Sequence, residues 1–495
     1  MSHLLAIDQG TTSTRSLLFD ASGRLLASAQ REFSQSYPQP GWVEHDPQTI
    51  WRDVLHTARE VLAESHALVA AIGIANQRET TVVWARGDGT PVYPAIVWQD
   101  RRTAAECERL RRDGADTLVR ARTGLLLDPY FSATKLAWIL DHVTGARARA
   151  ERGELAFGTI DSFLLWHLTG GKVHATDATN ASRTMLFDIH HQCWDGDLLG
   201  LFDIPEALLP EVHDNSFRYG VTAEGLFDRE IPVAGMAGDQ HAALVGQACL
   251  DAGMAKATYG TGCFILLNTG HEAQPPAKGI LATLAYRVDG RPAYAAEGSI
   301  FAAGTALKWL RDQLGLFKDV SATSAMAAAL GGNNGVYLVP AFTGLGAPHW
   351  DPDARGLICG LALDTSPAHF VRAALESAVY QTFDLMQAIM GDGPPRALRV
   401  DGGMAGNDWF CQFLADIIAA PVERPAMLEA TALGAAFLAG LTIGLFPDFA
   451  AISATWVPGA RFEPRMAGAE RDRLIAGWRD AIQRTLPRGN SRAID

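Results

Sequence analysis

Three short turns rich in glycine and hydroxyl side chains carry the first chemical information in this chain. They are Asp8-Gln9-Gly10-Thr11-Thr12-Ser13-Thr14, Gly260-Thr261-Gly262 and Asp401-Gly402-Gly403-Met404-Ala405-Gly406-Asn407. Glycine lets the backbone bend close to a ligand because it lacks Cβ. Successive N–H groups, with Thr and Ser hydroxyls, donate to anionic oxygens. Asp8 cannot hold phosphate itself, but a carboxylate there can hold Mg2+ through water. Taken singly, each segment reads equally as an ordinary hairpin or strand-to-helix turn. Together they point to a nucleotide. Neither G-x-x-x-x-G-K-[ST] nor G-x-G-x-x-G occurs, which supports neither a P-loop enzyme nor a dinucleotide dehydrogenase. Two more places draw the eye. Arg78 and Glu79 are adjacent and opposite in charge; Arg only donates and a carboxylate only accepts, so the pair satisfies hydroxyls, which do both. Without further context the same dipeptide reads as a solvated loop. Asp239 follows the strand-like run 231–235, with Gly238 leaving its approach open. A carboxylate so placed can take the proton of an attacking alcohol.

These groups need elements to hold them. The first turn joins strand-like runs 3–7 and 15–20, and the second joins 253–259 and 263–268, a faint internal echo. The third follows a short strand and precedes an apolar helical stretch, 409–418. Residues 71–75 and 335–340 read as strands, and 47–64 and 367–390 as helices. Such alternation indicates α/β layers, and two similar halves facing each other leave a cleft, a favoured ligand site. The boundary falls within 246–253, giving domains 1–249 and 250–495.

At 495 residues and 48% apolar, the chain suits two large cores. A formal charge of -13, from 42 basic and 55 acidic residues, argues against nucleic acid or an anionic membrane as partner. It leaves ATP open, because local amides and a metal bind phosphates without a basic surface. The six cysteines lack C-x-x-C spacing, as expected of reduced thiols in the cytosol. The amino terminus lacks signal-peptide architecture, so a cytoplasmic protein is expected. The uncharged stretch 430–447 approaches the length of a membrane span. Gly434, Gly440 and Gly444 interrupt it, however, so a buried helix followed by a turn is expected. The polar tail 488–495 is expected to fray. His190-His191-Gln192-Cys193 has no matching ligand pair and reads as a solvated loop rather than a zinc site.

The three turns resemble those with which the sugar kinase/heat-shock/actin superfamily wraps ATP. Within it the chain resembles the glycerol-kinase branch of the FGGY carbohydrate kinases, from the first strand to Gly440. The segments that carry the likeness are Asp8 to Arg15, Gly41-Trp42-Val43-Glu44-His45-Asp46-Pro47, Asn76-Gln77-Arg78-Glu79-Thr80-Thr81 and Asp128-Pro129-Tyr130-Phe131-Ser132. Thr179-Asn180-Ala181-Ser182-Arg183-Thr184-Met185, Ala237-Gly238-Asp239-Gln240 and Phe342-Thr343-Gly344-Leu345-Gly346-Ala347-Pro348 complete it.

The resemblance implies two actin/ribonuclease H-like α/β domains with an interdomain cleft, and transfer of the γ-phosphoryl group of ATP to glycerol. It implies Asp239 as general base; Arg78, Glu79, Tyr130 and Gln240 on the substrate hydroxyls; and Trp98 and Phe264 as walls against the carbons. For the nucleotide it implies Thr11, Thr12, Ser13, Arg15, Thr261, Gly304, Gly403 and Asn407, with Mg2+ near Asp8. A homodimer or homotetramer is implied by resemblance alone. Lys308 stands where many relatives have Gln, and His241 also departs from a common Gln. His241 is expected behind the substrate rather than on it. Some bacterial relatives are inhibited by fructose 1,6-bisphosphate through a Gly-Gly-Lys-Gly-Gly-Thr-Arg type loop. The matching stretch 223–230 lacks those glycines, carries Glu224, Asp228 and Glu230, and lacks the histidine that other relatives present for activating phosphorylation. Both controls are expected to be weak or absent. Three other readings stay open: a related kinase acting on a pentulose or gluconate, a catalytically silent sugar sensor, and an actin-like filament protein.

Overall fold

The structure is a computed structural model that describes residues 3–486 apart from 66, 67, 276, 352, 392 and 394; the tail 488–495 lies outside the described residues. The first sheet is built from β1 (His3–Gln9), β2 (Ser13–Phe19), β3 (Leu25–Glu32), β4 (Val69–Asn76), β5 (Ser216–Val221) and β6 (Pro232–Gly238). Their spatial order is β5-β6-β4-β1-β2-β3. Successive side chains of a strand point to opposite faces. Leu5 and Ile7 therefore pack with Val54 and Val61 of helix α1 (Pro47–Ser65), while Leu4 and Ala6 pack with Leu433 and Phe437 on the other side. Cover on both faces is why β1 and β4 read as nearly continuous apolar runs.

The second sheet holds β7 (Ala255–Tyr259), β8 (Cys263–Gly270), β9 (Leu281–Val288), β10 (Arg291–Ile300), β11 (Leu398–Asp401), β12 (Val422–Pro425) and β13 (Pro458–Phe462). Its order is β9-β10-β8-β7-β11-β12-β13. In each sheet three antiparallel strands are extended by two parallel ones and closed by an antiparallel edge. The second sheet adds β9 at its far side. The faint echo in sequence is thus a repeat of architecture, and the first two glycine turns, β1–β2 and β7–β8, occupy equivalent places in it.

Five further helices matter for the site: α2 (Asp239–Gly246), α3 (Gly304–Asp312), α4 (Pro367–Met390), α5 (Asp408–Ile418) and α6 (Ala430–Thr442). Helix α4 starts where its sequence says it should, with Ser366 as cap, Pro367 in the first turn and His369 closing a capping box. Helix α6 is the apolar segment without charges, and it ends well before Pro447. Among the described residues no helix is long and apolar enough to cross a membrane.

Although α6 follows the strands of the second sheet in sequence, it packs on β1, β4 and β6 of the first. It crosses α2 backbone to backbone. A Cβ on Gly434 would lie 1.8 Å from the Ala242 carbonyl oxygen, and one on Gly246 1.9 Å from that of Ala430. Helix α2 also meets β7, β8 and β9, and Leu266 and Ala295 of the second sheet join the same apolar cluster. The α2–α6 pair is therefore a shared layer between the sheets.

Candidate active site

Helix α2 begins at Asp239, so the carboxylate sits where β6 ends, beside the loop that follows β4. That loop carries Arg78 and Glu79, the latter with φ of 60°, a conformation uncommon away from glycine and frequent at functional sites. The Arg78 guanidinium donates twice to Glu297 of β10, at 2.6 and 3.0 Å, and its Nε lies 3.3 Å from Asp239 Oδ1. Arg183 donates from Nε to Glu79 at 2.6 Å and from Nη2 to Glu297 at 3.0 Å. Arg78 and Glu79 are 2% and 1% exposed, which rules out a solvated loop. Asp239 differs from its neighbours: its side chain is 29% exposed, at the edge of a buried charge network.

The electrostatics follow from that placement. Burial pushes the Glu297 carboxyl up, but Arg183 and Arg78 outweigh it and hold the group at about 2. Burial raises Glu79, with Arg183 and Arg78 opposing. Burial also raises Asp239, against Arg78 and Lys256. A more basic carboxylate with an open edge is suited to taking a proton.

Aromatic rings close the space beside it. Trp98 lies edge-on to Tyr130 at 5.6 Å and to Phe264 at 6.2 Å. Phe264 lies 5.9 Å from the Arg78 guanidinium, and Tyr130 5.7 Å from that of Arg183. Burial raises the Tyr130 phenol, which stays a neutral donor. Trp98 Nε1 donates to Thr11 Oγ1 at 2.9 Å, tying this wall to the first turn. Gln240 is buried, and its Oε1 accepts from the Lys256 ammonium. The structure thus brings Arg78, Glu79, Trp98, Tyr130, Asp239, Gln240 and Phe264 together, with Thr11 attached.

The turns are more open. Gly10 N–H donates to Ser13 O at 2.9 Å, while Gly10 O accepts from Gln9 at 2.7 Å and from Gln77 at 3.1 Å. Thr12, Gly260, Thr261 and Gly403 are exposed. Gly304 N–H donates to Gly260 O at 3.1 Å, so the start of α3 abuts the second turn. The third turn abuts it too: Gly402 has φ of 86°, and a Cβ there would lie 2.4 Å from Tyr259 O. Gly403 faces open space. Asn407 caps α5, accepting from Phe410 N–H at 3.0 Å, and reaches Thr323 at 3.3 Å. Arg15 bridges Asp8 and, at 2.5 Å, Glu429, so its guanidinium is held by carboxylates. Burial raises Asp8, with Arg15 opposing. Among the described residues no group of three or more His, Cys, Asp or Glu could cage a metal. One buried carboxylate does fit Mg2+, which takes one or two protein ligands and fills its shell with phosphate and water.

Lys308 is exposed on α3. His241 is buried with neither ring nitrogen partnered among the described residues; burial, then Arg78, keeps it neutral. His190 contacts Ala121 O, and His191 contacts Asp188.

Sequence reasoning gave no site role to three groups: Arg183, which it quoted only within the segment Thr179–Met185, and Glu297 and Lys256, which it did not single out. A signal existed for the last two as well. Glu297 continues the face of β10 that carries Ala293 and Ala295, and Lys256 interrupts the apolar start of β7. A lone charge inside a buried strand needs a partner.

The sequence profile of the FGGY family of carbohydrate kinases, N-terminal domain, matches residues 3–246, and that of the C-terminal domain matches 255–443. The glycerol kinase of Rhodospirillum centenum is 58% identical over 97% of this chain and 98% of its own length. The crystal structure of Plasmodium falciparum glycerol kinase with ADP superposes with a TM-score of 0.93, at 35% identity, over 98% of this chain and 99% of that one. A xylulose kinase from Lactobacillus acidophilus gives a TM-score of 0.87 at 22% identity over 98% and 97% of the two chains, a likeness of fold alone. On its sequence over nearly the whole length and on its fold, this chain belongs to the FGGY family of carbohydrate kinases.

Proposed function

We propose that this protein is a glycerol kinase, transferring the γ-phosphoryl group of ATP to a terminal hydroxyl of glycerol to give sn-glycerol 3-phosphate and ADP. The observation that carries the reading is the buried Arg78–Glu79–Arg183–Glu297 network ending at the accessible carboxylate of Asp239. Two relatives that cover nearly the whole chain are glycerol kinases. A neutral triol asks for paired donors and acceptors between flat apolar walls. Arg78 and Glu79 supply the first, Trp98 and Phe264 the second, and Tyr130 and Gln240 add further polar groups.

A primary alcohol is a weak nucleophile, so Asp239 takes the hydroxyl proton as the oxygen attacks phosphorus. The new O–P bond forms as the bond to the β-phosphate oxygen breaks. Such transfers depend mainly on alignment and charge neutralisation. Backbone amides of the turns at Gly10 and Gly260, whose own N–H groups bond to Ser13 O and Gly262 O, would cradle the phosphates, with Thr11, Thr12, Ser13, Thr261, Gly304 and Gly403 around them and Arg15 and Asn407 flanking that region. Mg2+ held beside Asp8 would offset phosphate charge. We divide the chain at residues 249 and 250 into two lobes that close on substrate and exclude water. The enzyme would work in the cytoplasm as a homodimer or homotetramer.

The test is a coupled assay for ADP production across glycerol, dihydroxyacetone, xylulose and gluconate. Turnover highest on glycerol is expected. A preference for xylulose or gluconate would overturn the reading.

A further inference from the structure

Lys256, Leu266 and Glu297 stand opposite one another on three adjacent strands of the second sheet: Lys256 pairs with Leu266, and Leu266 with Glu297. Directly opposed residues point to the same face. Leu266 belongs to the apolar cluster shared with α2 and α6, so this face looks at the first lobe. The row therefore presents a cation and an anion on either side of a leucine. Opposite them lie groups of the reverse sign and need. Lys256 reaches Gln240 Oε1, with a further bond to Thr258 at 2.9 Å. Glu297 receives both Arg78 and Arg183. Both charges are buried, which contributes little net stability and is costly if a partner is lost. Stability alone does not account for the row.

We propose that the cross-strand row Lys256–Leu266–Glu297 is a positioning device by which the second lobe sets the geometry and basicity of Asp239. This rests on the glycerol kinase reading above. Neither charged residue is among those placed on the substrate in that reading. Glu297 draws the Arg78 guanidinium away from Asp239, leaving Nε at 3.3 Å while the two terminal nitrogens bond at 2.6 and 3.0 Å to Glu297. Lys256 acts in the opposite sense, placing positive charge near Asp239 and fixing Gln240, whose backbone N–H donates to Asp239 at 2.7 Å. The charged groups facing Asp239 are Arg78 from the loop after β4 and Lys256 from β7. Those around Glu297 are Arg78, Arg183 and Glu79, with neutral Tyr130 and His241. Lys256 also faces Asp401.

The two halves of the row make predictions of opposite sign. The acidic limb of kcat/KM reports the free enzyme's base. Glu297→Gln removes a negative charge and leaves Arg78 to Asp239, so the carboxylate becomes less basic and the limb moves to lower pH. Lys256→Met removes a positive charge, so the limb moves to higher pH. Shifts of half a unit or more are expected, with glycerol KM raised at least threefold and ATP KM within twofold of wild type. The charge-conserving variants Glu297→Asp and Lys256→Arg should keep the wild-type limb while raising glycerol KM, and they decide the matter if the neutral variants do not fold. Shifts in the same direction, no shift in folded neutral variants, or wild-type glycerol KM in both conservative variants would overturn the proposal. Wild-type turnover on glycerol in the same assay tests the underlying reading separately.

Discussion

The Arg78 cluster, proposed above as the polyol pocket, and the glycine turns, proposed as the phosphate cradle, are built by different means. Around Arg78, side chains from both lobes are locked together by buried ion pairs and edge-on aromatic rings. Around Gly260 and Gly403, exposed backbone leaves open space, and beside the half-buried Gly10 the hydroxyl residue Thr12 is exposed. The contrast suits the ligands proposed for them. A small neutral triol has little surface to bind with, so its site must be arranged beforehand, because ordering side chains on binding costs affinity. A triphosphate brings its own charge and needs mainly donors that can come close.

The widest test of that contrast is Asp239→Asn. Turnover should fall by about 10²- to 10⁴-fold, the usual worth of a general base, while ATP binding measured by calorimetry survives. Next comes Arg78→Met. It leaves Glu297 with one buried partner and should cost about 3–5 kcal/mol of stability, read by denaturant unfolding, together with a raised glycerol KM. A variant of unchanged stability would mean the pocket is not prearranged by charge. The turns respond differently. Gly402→Ala, at positive φ against the Tyr259 backbone, should cost about 1–3 kcal/mol or more. Gly403→Ala should leave stability alone and raise ATP KM. Thr12→Ala removes at most one net hydrogen bond, about 0.5–1.5 kcal/mol, so ATP KM should rise several-fold with no change in melting temperature. Smallest of all, fructose 1,6-bisphosphate should leave turnover unchanged, because Glu224, Asp228 and Glu230 are exposed in the 223–230 loop and would repel it. Inhibition reversed by substitutions in that loop would contradict this.

Much of this was legible in the chain because turns declare themselves locally. The strand–glycine–strand pattern at Gly10 and Gly260 marked equivalent places in two sheets, and the strand-like run before Asp239 is a strand in the structure, although the helix that begins at Asp239 was not read from the sequence. Distant partners were not legible. Arg78 meets Glu297 and Arg183 meets Glu79 across long stretches of chain, and nothing near either arginine names its acceptor. Helix α6 shows the same limit. Its composition announced a buried helix, but its place on the first sheet depends on Gly434 meeting Gly246, a fit visible only in three dimensions. Asn407 could be read from resemblance as a nucleotide neighbour, yet its side chain is engaged in capping α5.

The most direct measurement is a crystal structure of the protein with glycerol and a non-hydrolysable ATP analogue. It should place a terminal glycerol oxygen within hydrogen-bond reach of Asp239, about 2.6–3.2 Å, with Arg78 and Glu79 on the other hydroxyls and the γ-phosphorus in line behind that oxygen. Glycerol bound away from Asp239, or that carboxylate turned from the γ-phosphorus, would contradict the account.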